Sequence, residues 1–145
     1  MKNIGIIGST GSVGQQALDV IRSHPNRFNV IFLAVHSNIK VLKSQIKEFN
    51  PNYVCIYNEE IRKQIDTFGD TKILSGHNGL LELCANKDAD IILNSIVGYE
   101  GLEPTLKIIE SGIDIALANK ESIVQAGHLV MDLVKSKNVN LLPVD

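Results

Sequence analysis

The sequence predicts a doubly wound α/β fold, a mainly parallel sheet with helices on both faces. Three observations predict it. Strand-like and helix-like patterns alternate from end to end. The strands are near-continuous apolar runs, such as Asn29–Val35 (Asn-Val-Ile-Phe-Leu-Ala-Val), which suit a sheet covered on both faces. The first apolar run ends on three glycines, Gly8, Gly11 and Gly14, and a helical pattern starts among them.

Element by element, a strand is expected over Ile4–Ile7 and a helix over Ser12–Ser23, with Val13, Ala17, Val20 and Ile21 on its apolar side. Asn29–Val35 is the second strand. Ile39–Phe49 is helical and closes at Asn50-Pro51, because the residue before a proline is steered away from helical backbone. Tyr53–Tyr57 is expected as a strand and Glu59–Phe68 as a polar, exposed helix. Lys72–Leu74 is a short strand, and Gly76-His77-Asn78-Gly79 a turn into a helix over Leu80–Ala85. Asp90–Ile96 is a strand ending at Val97-Gly98, followed by a helix over Gly101–Ser111 that Gly112 stops. Asp114–Ala118 is a strand, Lys120–Ser136 the longest helix, and Asn140–Val144 the last strand. With no linker, internal repeat or low-complexity stretch, the 145 residues read as one domain.

Composition narrows the function. Net charge is −2, aromatic residues make up 5 % and Trp is absent, so neither a basic nucleic-acid surface nor a base-stacking platform is expected. No apolar run approaches the length of a membrane span, and no secretory signal precedes the first strand. Cys55 and Cys84 stand apart in apolar contexts, as buried reduced thiols of a cytoplasmic protein do.

In parallel sheets, ligands bind beyond the carboxyl ends of the strands. The chemically interesting residues fall at such ends: Gly8–Gly14, Val35–Asn38, Val97-Gly98, Ala118–Glu121 and Val144-Asp145. In the segment Gly8-Ser9-Thr10-Gly11-Ser12-Val13-Gly14, Gly8 allows the turn. Gly11 leaves no Cβ where a diphosphate would approach, and Gly14 lets the helix pack close to the strand. The free N–H groups and dipole of the helix start then favour an anion, so the segment reads as the phosphate loop of a Rossmann-like, dinucleotide-binding domain. An ordinary strand-to-helix turn would use the same glycines. The second strand runs into His36-Ser37-Asn38 and Lys40 with no carboxylate to hold a ribose 2′-hydroxyl, which favours NADP over NAD. Ser37 or Asn38 also suits a helix cap. Asn119 is placed to cap the long helix and Glu121 suits its positive end. Lys120 in that first turn opposes the dipole and makes sense facing an anionic ligand. Asp145, just past a buried strand, is a good single ligand for a hard divalent cation.

Gly8–Gly14, Ile96-Val97-Gly98 with Gly101-Leu102 and Pro104-Thr105, Leu117-Ala118-Asn119-Lys120-Glu121-Ser122 and Leu142-Pro143-Val144-Asp145, in this order and spacing, resemble the 1-deoxy-D-xylulose 5-phosphate reductoisomerase family. Ser23-His24-Pro25-Asn26 fits the same pattern, and the resemblance covers essentially the whole chain. It implies NADPH-dependent rearrangement and reduction of 1-deoxy-D-xylulose 5-phosphate to 2-C-methyl-D-erythritol 4-phosphate, in the non-mevalonate isoprenoid pathway. It implies a divalent cation (Mn²⁺, Mg²⁺ or Co²⁺), inhibition by fosmidomycin-type hydroxamates, a homodimer and a bacterial cytoplasmic setting. By the same resemblance, Gly8, Ser9 and Gly14 shape the diphosphate loop, and Thr10, Gly11, Ser12 and Val13 hold the diphosphate. His36, Ser37 and Asn38 lie by the 2′-phosphate, Asn119 and Glu121 contact the cofactor, Lys120 meets the phosphosugar substrate as the catalytic residue, and Asp145 is the first metal ligand.

Family members often carry Gly-Lys-Asn or Asn-Lys-Ser where this chain has His36-Ser37-Asn38, and Lys40 is the expected substitute for that lysine. Complete members also continue past the aspartate into a Ser-Glu-His segment, a catalytic domain and a C-terminal helical domain. The chain is therefore expected to be the N-terminal cofactor domain, binding NADPH without turnover. The rival readings are another oxidoreductase with the same glycine spacing and a non-enzymatic NADP-binding module. No Tyr here has a lysine four residues on, and Cys84 falls inside an expected helix, which argues against the first rival.

Overall fold

The structure, a computed structural model, describes residues 1–118 and 120–144, without the side chains of residues 99, 120, 122 and 125. Strands β1 (Lys2–Ile7), β2 (Phe28–Val35), β3 (Tyr53–Ile56), β4 (Lys72–Ser75), β5 (Ile91–Asn94), β6 (Asp114–Leu117) and β7 (Leu141–Pro143) alternate with helices. The helices are α1 (Ser12–Ser23), α2 (Ile39–Phe49), α3 (Glu59–Lys63), α4 (Gly76–Cys84), α5 (Leu102–Glu110) and α6 (Lys120–Lys137). The strands form one sheet in the order β4-β3-β2-β1-β5-β6-β7, every neighbouring pair parallel. The expected doubly wound sheet is thus parallel throughout.

Successive strand residues serve opposite faces, which is why the strands read as unbroken apolar runs. Ile7, Phe32, Ala34 and Ile92 pack with Leu80 and Leu83 of α4, Ile108 and Ile109 of α5 and Val130 of α6. Ile6, Leu33, Val35 and Val54 pack on the other face with Leu18 and Ile21 of α1 and Leu42 and Ile46 of α2.

Three expectations about helices change. The buried side of α1 is Gly14, Leu18 and Ile21, while Val20 is 55 % exposed. The third helix is one short turn, Glu59–Lys63, rather than Glu59–Phe68. Asn58 caps it through Glu60 N–H and Ile61 N–H, but Ile65 and Phe68 turn in against the core and a Phe68–Thr71 bridge closes a bend around Gly69. Conversely α4 starts at Gly76, inside the expected turn. Gly76 has φ +71, and at Gly79 a Cβ would lie 3.0 Å from Leu74 Cβ, so this bare stretch lies tight against β4 as a helix. The long last helix α6 forms as expected but kinks at Ala126, whose φ of −138 is not helical.

Candidate functional site

From β1 the chain winds outward through β2, β3 and β4, then crosses back to β5 beside β1 and winds the other way. Between the carboxyl ends of β1 and β5 the connecting loops part, and ligands of open α/β sheets bind at such a crevice. A cleft of about 550 Å³ opens there, lined by Gly8, Thr10 and Gly11 after β1, Val35 and His36 at the end of β2, and Ser95, Ile96 and Val97 after β5. Tyr57, His77, Glu100 and Glu103 continue the wall.

The loop after β1 is held by its backbone. Gly8 N–H donates to Ala34 O at 2.8 Å, Ser9 N–H to the same carbonyl at 3.2 Å, and Gly11 N–H back to Gly8 O at 3.2 Å. Gly8 has φ +88, a conformation natural to glycine. A Cβ on Gly14 would sit 2.1 Å from Gly8 O and 2.7 Å from Ser9 Cα, so the helix start lies directly on the loop. A Cβ on Gly11 would meet only Gly8 O, at 3.6 Å. Gly11 is the N-cap of α1, no side chain caps it, and no acidic residue occupies the first turn. The orphan N–H groups there are those an anion satisfies. Ser9 is fully buried beneath the loop, Ser12 is exposed and Val13 half-buried.

At the end of β2, His36, Ser37 and Asn38 are all exposed. Asn38 caps α2, its Oδ1 accepting from Val41 N–H at 3.2 Å. The His36 ring stacks on Tyr57 with centroids 5.7 Å apart. The wall continues through Tyr57 Oη, 3.4 Å from His77 Nδ1, and His77 Nε2, 2.9 Å from Glu103 Oε2. Lys40 is exposed in the first turn of α2.

The opposite lip hangs on a buried amide. Asn94 Nδ2 donates to Gly101 O (3.1 Å) and to Thr105 Oγ1 (2.9 Å), Thr105 Oγ1 donates to Gly101 O (2.8 Å), and Ile96 N–H donates to Asn94 Oδ1 (3.2 Å). Ser95 Oγ donates to Ile7 O at 2.7 Å and ties this lip to the glycine loop. The network leaves Val97 on the rim, 82 % exposed.

Two buried thiols lie behind the cleft. Burial above all, helped by the Glu82 charge, pushes Cys55 up to about 12. Burial also pushes Cys84 up to about 12, with the neighbouring Cys55 and Glu103 adding to it. Both are free, as expected, and inert as nucleophiles near neutrality.

The fold therefore brings Gly8, Thr10, Gly11 and His36 to one cleft, while Ser9, Ser12, Val13, Gly14, Ser37 and Asn38 do not line it. Glu121 is exposed in the first turn of α6 and Lys120 opens that helix. The Lys120 side chain, Asn119 and Asp145 lie outside the described residues. Among the described residues no three His, Cys, Asp or Glu side chains converge to hold a metal, and no helix is long and apolar enough to cross a membrane. Ser95, Tyr57, His77 and Glu103 were not singled out from sequence. Ser95 and Tyr57 directly follow the observed β5 and β3 but fall inside the longer strands expected over Asp90–Ile96 and Tyr53–Tyr57, and His77 follows β4 by two residues, where the strand-end rule could have found it.

Residues 4–127 match the family model described as 1-deoxy-D-xylulose 5-phosphate reductoisomerase. The chain is 47 % identical over 146 aligned residues to 1-deoxy-D-xylulose 5-phosphate reductoisomerase 2 of Bacillus thuringiensis subsp. konkukian, covering all of this chain and 38 % of the relative. A crystal structure of DOX-P reductoisomerase with fosmidomycin and magnesium superimposes with a TM-score of 0.93 at 37 % identity, over 100 % of this chain and 37 % of that one. The Zymomonas mobilis 1-deoxy-D-xylulose 5-phosphate reductoisomerase in complex with NADPH matches with a TM-score of 0.89 at 34 % identity, over 99 % of this chain and 38 % of that one. The chain thus spans well under half the length of the relatives it matches.

Proposed function

Because this chain belongs to the 1-deoxy-D-xylulose 5-phosphate reductoisomerase family, we propose that it is the NADPH-binding part of such an enzyme. The observation that carries this reading is the uncapped start of α1 at Gly11, where a Cβ would meet only Gly8 O at ordinary contact distance, facing a cleft of ligand size. The residues fit the cofactor: Thr10, Gly11, Ser12 and Val13 present the loop and first turn to a diphosphate, and His36, Ser37 and Asn38 offer polar groups to a 2′-phosphate. Asn119 and Glu121 complete the cofactor contacts in this reading, Lys120 meets the phosphosugar, and Asp145 gives one ligand to a divalent cation.

For the whole protein the proposed reaction is rearrangement and reduction of 1-deoxy-D-xylulose 5-phosphate to 2-C-methyl-D-erythritol 4-phosphate. When bound, NADPH supplies the hydride and the cation (Mn²⁺, Mg²⁺ or Co²⁺) polarises the substrate oxygens. The described residues alone do not assemble the metal site, so the reading includes further ligands and a catalytic region beside this one, and the chain alone binds cofactor without turnover. Val124, Leu129 and Met131 on α6 and Leu142 on β7 are exposed apolar residues, which suits a surface covered by such a region or by the second subunit of a homodimer. The proposed setting is the bacterial cytoplasm.

The test is titration of the purified chain with NADPH and NADH, followed by nicotinamide fluorescence. Saturable binding that favours NADPH is expected, and binding of neither cofactor removes the reading. A second prediction concerns which side chain reads the 2′-phosphate. Lys40→Ala and His36→Ala should each narrow the preference for NADPH by raising its Kd several-fold, roughly the 1 kcal/mol of a charge-assisted contact, while NADH binding stays put. Lys40→Ala with unchanged NADPH affinity excludes Lys40 as the substitute for the family lysine.

A further inference from the structure

The core-facing side of α2 is Leu42, Gln45 and Ile46. Two of these are what a buried helix face requires. Gln45 is not, for it is only 7 % exposed, and a buried carboxamide is costly unless bonded. Its Nε2 donates to Ser9 O at 2.8 Å, into the middle of the glycine loop. Ser9 is itself 0 % exposed. Its backbone is gripped on both sides from two elements: the N–H donates to Ala34 O of β2 at 3.2 Å, and the carbonyl accepts from Gln45 of α2. Beyond that grip come Thr10 and Gly11, which face the cleft. Gln45 Oε1 and Ser9 Oγ are both buried and have no partner among the described residues. One is an acceptor and the other a hydroxyl donor, so the Gln45 Nε2 bond to Ser9 O is the link the structure shows between the two residues.

We propose that Gln45 is a positioning residue for the cofactor, clamping the diphosphate loop through Ser9 and fixing it relative to the 2′-phosphate segment. The second half follows from α2 being one rigid body. Asn38 caps its start, and Gln45 stands seven residues on, about two turns or roughly 10 Å along the axis. One helix therefore carries both the end of the 2′-phosphate segment and the clamp on the diphosphate loop. The inference rests on the NADPH reading of that loop and adds to it a residue that touches no part of the cleft.

Gln45→Leu keeps the bulk and removes the donor. Gln45→Glu keeps the shape and, ionised, turns a donor into an acceptor against the Ser9 carbonyl. Leu42→Ala, a neighbour at 0 % exposure on the same helix, is the control for lost packing. Three readouts are taken on the full chain: affinity for NADPH, affinity for adenosine 2′-monophosphate, and hydrogen exchange of the Gly8–Gly11 amides without ligand. Both Gln45 variants should weaken NADPH about tenfold, leave adenosine 2′-monophosphate little changed and speed exchange across the loop. Leu42→Ala should lower the melting temperature while both affinities hold. Equal losses for the two ligands, or unchanged NADPH affinity, overturn the positioning role. Failure of the unaltered chain to bind NADPH overturns the cofactor reading instead. The clamp is then judged by exchange alone, and unchanged exchange in Gln45→Leu refutes it.

Discussion

Gly14→Ala is expected to cost the chain about 2 kcal/mol of stability and to abolish measurable NADPH binding, although alanine is the better helix former. The added methyl would meet Gly8 O at 2.1 Å and Ser9 Cα at 2.7 Å, both backbone atoms with no rotamer to escape into. Ala over Gly inside a helix gains about 1 kcal/mol, whereas overpacking against backbone costs about 1–3 kcal/mol or more, and here the loop itself must move. The contrast is Gly11→Ala. Gly11 has φ −79 and a methyl there meets only Gly8 O at 3.6 Å, so the fold accepts it, and the gain from a stiffer unfolded chain is offset by alanine being the poorer N-cap, leaving stability within about 1 kcal/mol of the parent. In the proposed cofactor reading that methyl stands where the diphosphate approaches, so affinity should drop with little change in stability. Urea midpoints and NADPH titrations on the two variants separate the roles. A Gly14→Ala chain that melts and binds like the parent removes the close packing of loop on helix as the reason for that glycine.

The second large effect is alkaline. Both thiols are held at about 12 in the fold, against an ordinary value of 9.0. A folded value above the unfolded one means that the fold keeps a proton which the unfolded chain gives up. The contribution is therefore complete below about pH 9 and lost as the pH rises toward about 12. Each thiol can lower stability by up to roughly 1.4 kcal/mol per pH unit across that window, several kcal/mol in all. Urea midpoints measured from neutrality to about two units above the ordinary thiol value should fall steeply for the parent chain and less steeply for Cys84→Ala. The level shifts for that variant because a cavity opens, so the slope decides. Parallel slopes would show that other groups set the alkaline limit. In the same window the native thiols should resist alkylation until the chain unfolds.

At the opposite end of the scale, Arg22 holds the Glu48 carboxyl below the usual carboxylate range through their hydrogen bonds across α1 and α2. The pair lies in solvent, so its contribution, lost as the pH falls through the Glu48 value, is small.

What the sequence discloses is what neighbouring residues decide. The glycine loop, the proline that closes α2 and the Asn38 cap are local rules, and the structure places them as read. The alternation of strand and helix, with apolar strands between, was enough to foresee a sheet covered on both faces. The misreadings arise where distant residues decide. Val20 has the right spacing for the buried side of α1, yet it stays 55 % exposed. The helix expected through Phe68 yields because Phe68 and Ile65 find the core by turning early. Gly76–Gly79 looks like a turn until β4 and Cys55 press against it. Gln45 reads as an ordinary polar position on a polar helix, because the carbonyl it serves lies 36 residues earlier. Lys120 as an anion contact and Asp145 as a lone cation ligand read from dipole and strand-end chemistry, whereas the substrate, the cofactor role of Asn119 and the rest of the metal set come from the family resemblance.

The place of β1 in the sheet governs how the chain can assemble. The first strand made is the fourth in the sheet, flanked by β2 on one side and by β5, beginning at Ile91, on the other. During synthesis, β1 to β4 can gather as an open half-sheet, but one edge of β1 stays unpaired until more than ninety residues have emerged. Contacts so far apart in sequence are slow to form, and an apolar strand with a bare edge invites pairing with other chains. The glycine loop shares this fate, because Ser95, which ties it to the far lip, arrives last of its partners. Completion of the cleft and closure of the central sheet are then a single late event, and a ligand bound there would stabilise the step at which the nascent chain is most exposed to aggregation.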